Sequence, residues 1–446
     1  MRGLTELTHV EPTHRLAALT LLASAFVALS IFNRNTLAIG IALFLLIACC
    51  RGMVTIEASA ITRCSFSIEV VGRSEDEELR VRVRIENRSL AIIPFAEISI
   101  EHSPHLRLVK GSKVVLATIP PRSSIVVELS FDPRVGKHWI GPVTIVVRDP
   151  LGLFRSQPIK VNVVKEVMIT PRVSEAQLRR ILVKTRSSGV VRSREPGTGV
   201  EFFSVREYRP GDDLRRVDWK HFAATSRLVV KELERETFQS VAFVIDATSP
   251  TLLGPRKSTP LEHVLRIVSS LSLYLSRRGD LQMVLVYSKR GVTCSRLVRG
   301  RSAFKEVLGV LSSIELDTEE TSEEDRCRAL SEAVKKLVSA LPRERNVVFM
   351  FTVSGGDRYL DALVKAITTI SSLGNVVYVV LPLATLYQEQ DLPKWARLVF
   401  RVKAYEALKR EESFARKLRS KGVKVVVSLP QYIPMTIASI IERMAA

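Results

Sequence analysis

The densest run of ionisable side chains is Arg206-Glu207-Tyr208-Arg209-Pro210-Gly211-Asp212-Asp213-Leu214-Arg215-Arg216-Val217-Asp218-Trp219. Arginines interleaved with aspartates at this spacing have two uses. In a structural reading, Pro210-Gly211 makes a tight turn and Asp213 caps a short helix from Leu214. Arg215 and Arg216 then pair with Asp212 and Asp218, and Trp219 anchors the segment against a sheet. In a functional reading, the same charges form a docking face for another protein, with Arg206, Tyr208 and the downstream Arg227 in the set. A second position with chemistry in reach is Asp246, at the carboxyl end of an apolar run, where open α/β sheets hold their ligands.

Signatures of enzymes are missing from the sequence. Gly254-Pro255-Arg256-Lys257-Ser258-Thr259 lacks the glycine before lysine and the spaced first glycine of a phosphate loop. Glu101-His102-Ser103-Pro104-His105 lacks the helical histidine pair of a zinc protease, and no G-x-S-x-G elbow occurs. The seven histidines are scattered, and the five cysteines (Cys49, Cys50, Cys64, Cys294, Cys327) form no C-x-x-C pair. The expectation is a protein without catalytic residues in a reducing compartment.

Strands and helices alternate from about residue 240. Strands are predicted at Val241–Ala247, Leu281–Ser288, Asn346–Val353, Val376–Pro382 and Val423–Ser428. Helices are predicted at Leu261–Arg277, Ser302–Ser313, Glu323–Leu341, Leu360–Ser371, Ala404–Ser420 and Pro434–Ala445. This order implies βαβ units in a doubly wound parallel sheet. From about Val54 to Thr170 the pattern is all strand, with Leu79–Glu86 (LRVRVRIE) in strict alternation. Six to eight strands there suggest an immunoglobulin-like sandwich. Between the two lies a connector, with a short helix from Arg172 to Thr185 and a mobile Ser187–Gly199 stretch. Leu228–Glu236 is expected to be an edge strand joining the connector to the sheet.

Two uncharged runs open the chain, Leu16–Phe32 and Thr36–Cys50, separated by Asn33-Arg34-Asn35. Their lengths predict a transmembrane hairpin with helices at about 16–32 and 36–50, the second of marginal length. Arg2, Arg15, Arg51 and Arg63 flank the hairpin, while its loop carries Arg34 alone. Both termini are therefore expected in the cytoplasm, as a two-helix protein of the cell membrane. The expected division is 1–53 (tail and hairpin), 54–171 (sandwich), 172–235 (connector) and 236–446 (α/β domain). The formal charge of +20, from 66 Lys+Arg against 46 Asp+Glu, favours anionic surfaces. Membrane lipid is the expected one, and nucleic acid is not expected because the charge forms no compact basic tail.

The Glu207–Trp219 motif, Arg227, the strand ending at Asp246 and the hairpin together resemble the DUF58 family of membrane proteins. So does the series Val135-Gly136, Gly141-Pro142 and Asp149-Pro150-Leu151-Gly152-Leu153-Phe154. The resemblance implies a von Willebrand factor A-like α/β domain in a non-catalytic membrane adaptor. It also implies association with a MoxR-type AAA+ ATPase and a transglutaminase-like membrane protein. A von Willebrand A domain can hold a divalent cation through D-x-S-x-S after its first strand, with further ligands from later loops. Here Asp246 and Thr248 stand in place, Ser249 is out of register, and Pro250 replaces the second hydroxyl. Ser354 stands where a later aspartate is expected, with Asp357 three residues beyond. Asp246 and Thr248 thus make a degenerate site for weak Mg²⁺ binding at most, and a loop-capping role for Asp246 is the preferred reading. Two alternatives remain at this point: a basic membrane-surface or nucleic-acid binding module, and an unrecognised enzyme.

Overall fold

The computed structural model describes residues 10–32, 40–41, 43–44, 47, 63–149, 152–173, 196–234, 240–317, 319–342, 345–384 and 394–445. Two compact units emerge, Met1–Ile169 and Thr170–Ala446.

The first unit starts with β1 (Val10–Pro12) and α1 (His14–Phe32). Its strands continue as β2 (Cys64–Val71), β3 (Leu79–Asn87), β4 (Ile93–His102), β5 (Arg107–Lys110), β6 (Val114–Ile119), β7 (Ser124–Asp132) and β8 (Gly136–Arg148). Then come β9 (Phe154–Ser156), β10 (Ile159–Val161) and β11 (Lys165–Ile169). Among the described residues they form two antiparallel sheets, one built on β8 and β4 and one of order β2-β3-β7-β5. Alternation decides which side is dry. Leu79, Val81, Val83 and Ile85 of β3 are fully buried, whereas Arg80, Arg82 and Arg84 point out. Opposite them Ile98, Ile100, Ile140, Val143, Ile145 and Val147 of β4 and β8 complete one core. Shorter strands such as β5, β9 and β10 raise the count beyond the six to eight expected, because each is too brief to show a period.

Thr13 seats α1 by donating its N–H to the Leu153 carbonyl (2.8 Å) and its Oγ1 to the Gly152 carbonyl (2.6 Å). Leu16 packs on Leu153 and Phe154. No helix among the described residues is long and apolar enough to cross a membrane. Most of the second run, Thr36–Cys50, lies outside the described residues, as does the helix expected at Arg172–Thr185 beyond residue 173.

The second unit opens with a separate ribbon, β12 (Pro196–Glu207) paired with β13 (Val229–Glu234). A 3₁₀ turn (Leu214–Arg216) and α2 (Trp219–Thr225) lie between the two strands. This corrects the expectation for the Leu228–Glu236 strand. Pro196–Gly199 belong to a strand, the rest of the Ser187–Gly199 stretch lies outside the described residues, and β13 pairs with β12 instead of joining the main sheet. The main sheet has the order β16-β15-β14-β18-β19-β20, with β17 beside β15. Its strands are β14 (Ser240–Asp246), β15 (Leu281–Ser288), β16 (Gly291–Cys294), β17 (Val298–Arg299), β18 (Val347–Phe351), β19 (Val376–Pro382) and β20 (Lys424–Ser428). The helices are α3 (Pro260–Arg278), α4 (Gly300–Ser312), α5 (Glu323–Ala340), α6 (Asp357–Ser371), α7 (Lys394–Ser420) and α8 (Ile433–Ala445). Parallel pairing of β14 with both β15 and β18 gives the doubly wound α/β fold, antiparallel only at the β16 and β17 edge. Both faces of β14 and β18 are covered, so their residues are uniformly buried, and the runs read as continuously apolar.

Gly141 sits at φ +100°, where a Cβ would lie 2.0 Å from the Val163 carbonyl oxygen. Gly141→Ala is therefore expected to destabilise the first unit by more than about 2 kcal/mol, since the backbone on both sides would have to move. Chemical denaturation of the full chain measures this, and a loss under about 0.5 kcal/mol, typical of an innocuous surface change, would contradict it.

Candidate functional site

Asp246 ends β14 at the point where the sheet's winding reverses, between β15 and β18. In doubly wound sheets this crevice is the ordinary ligand position. Both carboxylate oxygens are engaged from within. Oδ1 accepts the Thr248 N–H (3.0 Å) and the Thr248 hydroxyl (2.5 Å). Oδ2 accepts Arg326 Nη2 (2.7 Å) and Nε (3.1 Å), the Thr352 hydroxyl (2.8 Å) and the Tyr359 hydroxyl (3.3 Å). The side chains of Arg326 and Asp246 are 4% and 0% exposed, so this is a dry ion pair.

Both terminal nitrogens of Arg326 make further bonds. Nη2 donates to the Val353 carbonyl (2.9 Å) and to Thr352 Oγ1 (3.0 Å), and Nη1 donates to the Ser354 carbonyl (3.2 Å). The guanidinium carbon lies 3.7 Å from the centre of the Tyr359 ring, a favourable site for a cation. Two glycines permit this closeness: a Cβ on Gly355 would meet Tyr359 Cδ1 at 2.6 Å, and one on Gly356 would meet Glu323 Oε1 at 2.5 Å. Ser354 in turn donates its N–H (2.9 Å) and hydroxyl (2.8 Å) to Glu411 of α7.

Electrostatics follow from the burial. Desolvation opposes the charge on Asp246, but the adjacent Arg326 and the Thr248 bonds outweigh it and hold the carboxyl below its usual range. Burial likewise opposes the charge on Arg326, and Asp246 more than offsets it. Burial pushes the Tyr359 hydroxyl up to about 12 and that of Tyr287 well above its ordinary value. Burial also raises the Glu411 carboxyl, with the Ser354 bonds partly offsetting it.

Asp246 and Thr248 are thus brought together as the sequence implied, with Asp246 holding the loop. Ser249 leaves the cluster and exchanges bonds with Thr321 (N–H to Thr321 Oγ1 3.1 Å; Thr321 N–H to Ser249 Oγ 2.7 Å). Asp357 is exposed and pairs with Lys417 (2.7 Å), away from Asp246. Arg326 was not singled out in the sequence, yet a signal exists there. The buried positions of α5 are Arg326, Ala329, Leu330, Ala333, Val334 and Leu337, so an arginine occupies the apolar stripe of an amphipathic helix.

The second candidate is the Arg206–Trp219 segment. Arg209-Pro210-Gly211-Asp212 is a turn, with the Asp212 N–H donating to the Arg209 carbonyl (3.0 Å) and Gly211 at φ +105°. The expected ion pairs are corrected. Asp212 is gripped in bidentate fashion by Arg206 (2.6 and 2.7 Å), and Asp218 pairs with Lys231 (3.2 Å). The Arg206 bonds and the Arg209 N–H bring the Asp212 carboxyl down to about 2. Asp213 caps the 3₁₀ turn by accepting the Arg215 N–H (3.0 Å). Asp218 caps α2 through the Lys220 and His221 N–H groups (3.2 Å each), and the His221 bond leads in lowering its pKa. The Tyr208 N–H joins the Leu228 carbonyl (3.0 Å), tying the segment to β13.

Trp219 does not anchor the segment against a sheet: it is 57% exposed, edge-on to the half-exposed Phe222 with centroids 6.2 Å apart. Leu214 is exposed as well, and Val217, Val229 and Val230 are buried instead. Asp213, Arg215 and Arg227 are exposed, and among the described residues Arg215, Arg216 and Arg227 have no ion-pair partner. All three aspartates therefore hold the local fold, while Leu214, Arg215, Trp219 and Arg227 are exposed.

Residues 204–395 match the family model described as "Protein of unknown function DUF58". The resemblance read from the Tyr208–Trp219 motif is thereby shown over that stretch, which holds the motif, Asp246 and Arg326. Among solved structures, the chain is similar to the "Crystal Structure of the SpRpn10 VWA domain" at 12% identity and TM-score 0.27, covering 46% of this chain and 94% of that one. It is also similar to "von Willebrand factor type A from Catenulispora acidiphila" at 14% identity and TM-score 0.25, covering 49% and 44% respectively. No curated protein matches the chain.

Removing one partner of a buried pair leaves the other charge uncompensated. Asp246→Asn is expected to destabilise the second unit by roughly 3–5 kcal/mol, read by denaturant titration. The native pKa of Asp246 is depressed, so its contribution is present above the unfolded value of about 3.9 and is lost as pH falls through the native value. Below about pH 4 the wild-type unit should thus lose stability more steeply than the asparagine variant, which has no proton to bind. Equal acid slopes for the two proteins would contradict the assignment.

Proposed function

We propose that the chain is a non-catalytic membrane-anchored scaffold that captures a protein partner through the Leu214–Trp219–Phe222 face. The observation that carries this reading is the division of labour in the Arg206–Trp219 segment. Its aspartates serve as caps and internal ion-pair partners, whereas Leu214 and Trp219 are 58% and 57% exposed. Arg215, Arg216 and Lys220 neighbour the apolar side chains in the sequence, which suits an aromatic anchor with a cationic rim. The complementary partner presents an apolar pocket edged by carboxylates.

A MoxR-type AAA+ ATPase is the partner we propose, on the strength of the family resemblance, with a transglutaminase-like membrane protein as a further component. Membrane anchoring by the N-terminal segment is part of the same proposal, with both termini cytoplasmic. Leu21 and Leu22 on α1 are 71% and 51% exposed, and lipid would cover side chains that water disfavours. The net charge of +20 suits an anionic leaflet. Support for a non-catalytic role comes from Asp246, whose oxygens are all bonded to groups of the protein itself.

Crosslinking followed by affinity purification from native membranes, with and without ATP, tests this. The wild type should recover an AAA+ ATPase, and Trp219→Ala should lose it by about 30-fold or more, the effect of a hot-spot anchor of at least ~2 kcal/mol. Arg215→Ala should weaken recovery too. Both variants should unfold within ~0.5 kcal/mol of wild type because the side chains are exposed. Undiminished recovery by both variants would dismiss this face, and recovery of only lipid or nucleic acid by the wild type would dismiss the scaffold reading.

A further inference from the structure

A von Willebrand A-like domain implies a divalent cation beside the first-strand aspartate, and the oxygens around Asp246 allow the fit to be tested. Asp246 Oδ2, Thr352 Oγ1 and the carbonyls of Val353 and Ser354 converge on a single spot. That spot holds the guanidinium of Arg326, with Nη2 2.7 Å from Oδ2, 2.9 Å from the Val353 oxygen and 3.0 Å from Thr352 Oγ1. Mg²⁺ or Ca²⁺ would need the same oxygens at about 2.0–2.6 Å, which a guanidinium among them forbids by volume and by charge. Pro250, in place of a hydroxyl residue, adds no donor. The residues present do not fit a divalent ion.

We infer that Arg326 is a tethered cation standing where a metal ion would sit, so that this end of the sheet is metal-independent and closed to an incoming carboxylate. The second half follows from donor use. A metal ion keeps an open coordination position for a partner's carboxylate, whereas Arg326 directs Nε, Nη1 and Nη2 all at oxygens of its own chain. The Tyr359 ring covers one face of the guanidinium. Recognition by this chain therefore has to use another surface, a conclusion that holds whether or not the Trp219 face is the one used.

Removing the side chain gives the inference a positive readout. Without the guanidinium, one carboxylate oxygen, one hydroxyl and two carbonyls would surround a hole, and water can complete the six oxygens that a hard cation wants. The experiment is titration of the full-length chain with MnCl₂, following free Mn²⁺ by electron paramagnetic resonance and unfolding by thermal melt. Wild type should bind no Mn²⁺ at this position up to about 1 mM, the weak end of biological divalent-cation sites. Arg326→Ala should gain one saturable Mn²⁺ per chain, a gain abolished in Arg326→Ala/Asp246→Asn, and Mn²⁺ should raise its melting temperature. Arg326→Gln is carried alongside for folding, and rescue of either variant's folding by MnCl₂ but not by NaCl counts as the same gain. Mn²⁺ binding by wild type that Asp246→Asn removes would overturn the inference, as would a folded Arg326→Ala with no such gain. The wild-type titration decides even if neither variant folds.

Discussion

The ion pair between Asp246 and Arg326 is the constraint around which the second unit is arranged. Two opposite charges in a dry interior are unfavourable unless their geometry is right and every residual donor and acceptor is met. Meeting them draws in Thr248 from the loop after β14, Thr352, Val353 and Ser354 from the loop after β18, and Tyr359 from α6. Because Arg326 comes from α5, one side chain fixes the register of a helix against two adjacent strands. The hydroxyl chain Tyr287–Tyr359–Thr352 extends the network to β15. An aliphatic core can slide and repack, but a five-donor guanidinium facing four named oxygens has one arrangement.

What the sequence reveals divides along physical lines. The five strands and six helices from residue 240 onward were legible because buried parallel strands are continuous apolar runs and the helices carry a clear stripe. Observed bounds such as Leu281–Ser288 and Val376–Pro382 coincide with those predicted. The β3 alternation was equally plain, since one face is dry and the other wet. The β16–β17 turn-back escaped notice because four- and two-residue strands have no period to read. Arg326 escaped because a single arginine among Glu323, Glu324, Asp325 and Arg328 reads as one more surface charge, and only its place on the stripe betrays it.

The Arg206–Trp219 segment was misread for a related reason. Opposite charges close in sequence invite pairing with each other, and the sequence offered Arg215 and Arg216 to Asp212 and Asp218. In three dimensions the strand pairing of β12 with β13 brings in closer partners, Arg206 and Lys231. The carboxylates also serve as helix caps, which orients them toward backbone N–H groups. Trp219 then follows its helix: once Asp218 caps α2, the next residue begins the first turn, and its ring is exposed while Val217, Val229 and Val230 are buried.

Among the described residues the β12–β13 ribbon has two strands, outside the ladder of the main sheet. Ribbons of this size are marginal in water without further support. Whatever grips the residues between its strands also holds the ribbon in shape, so occupancy and local order are thermodynamically linked. On the scaffold reading, part of the gross contact energy of a bound partner would be consumed in ordering the ribbon. Such linkage would favour engagement that can be reversed over the lasting grip of a rigid platform.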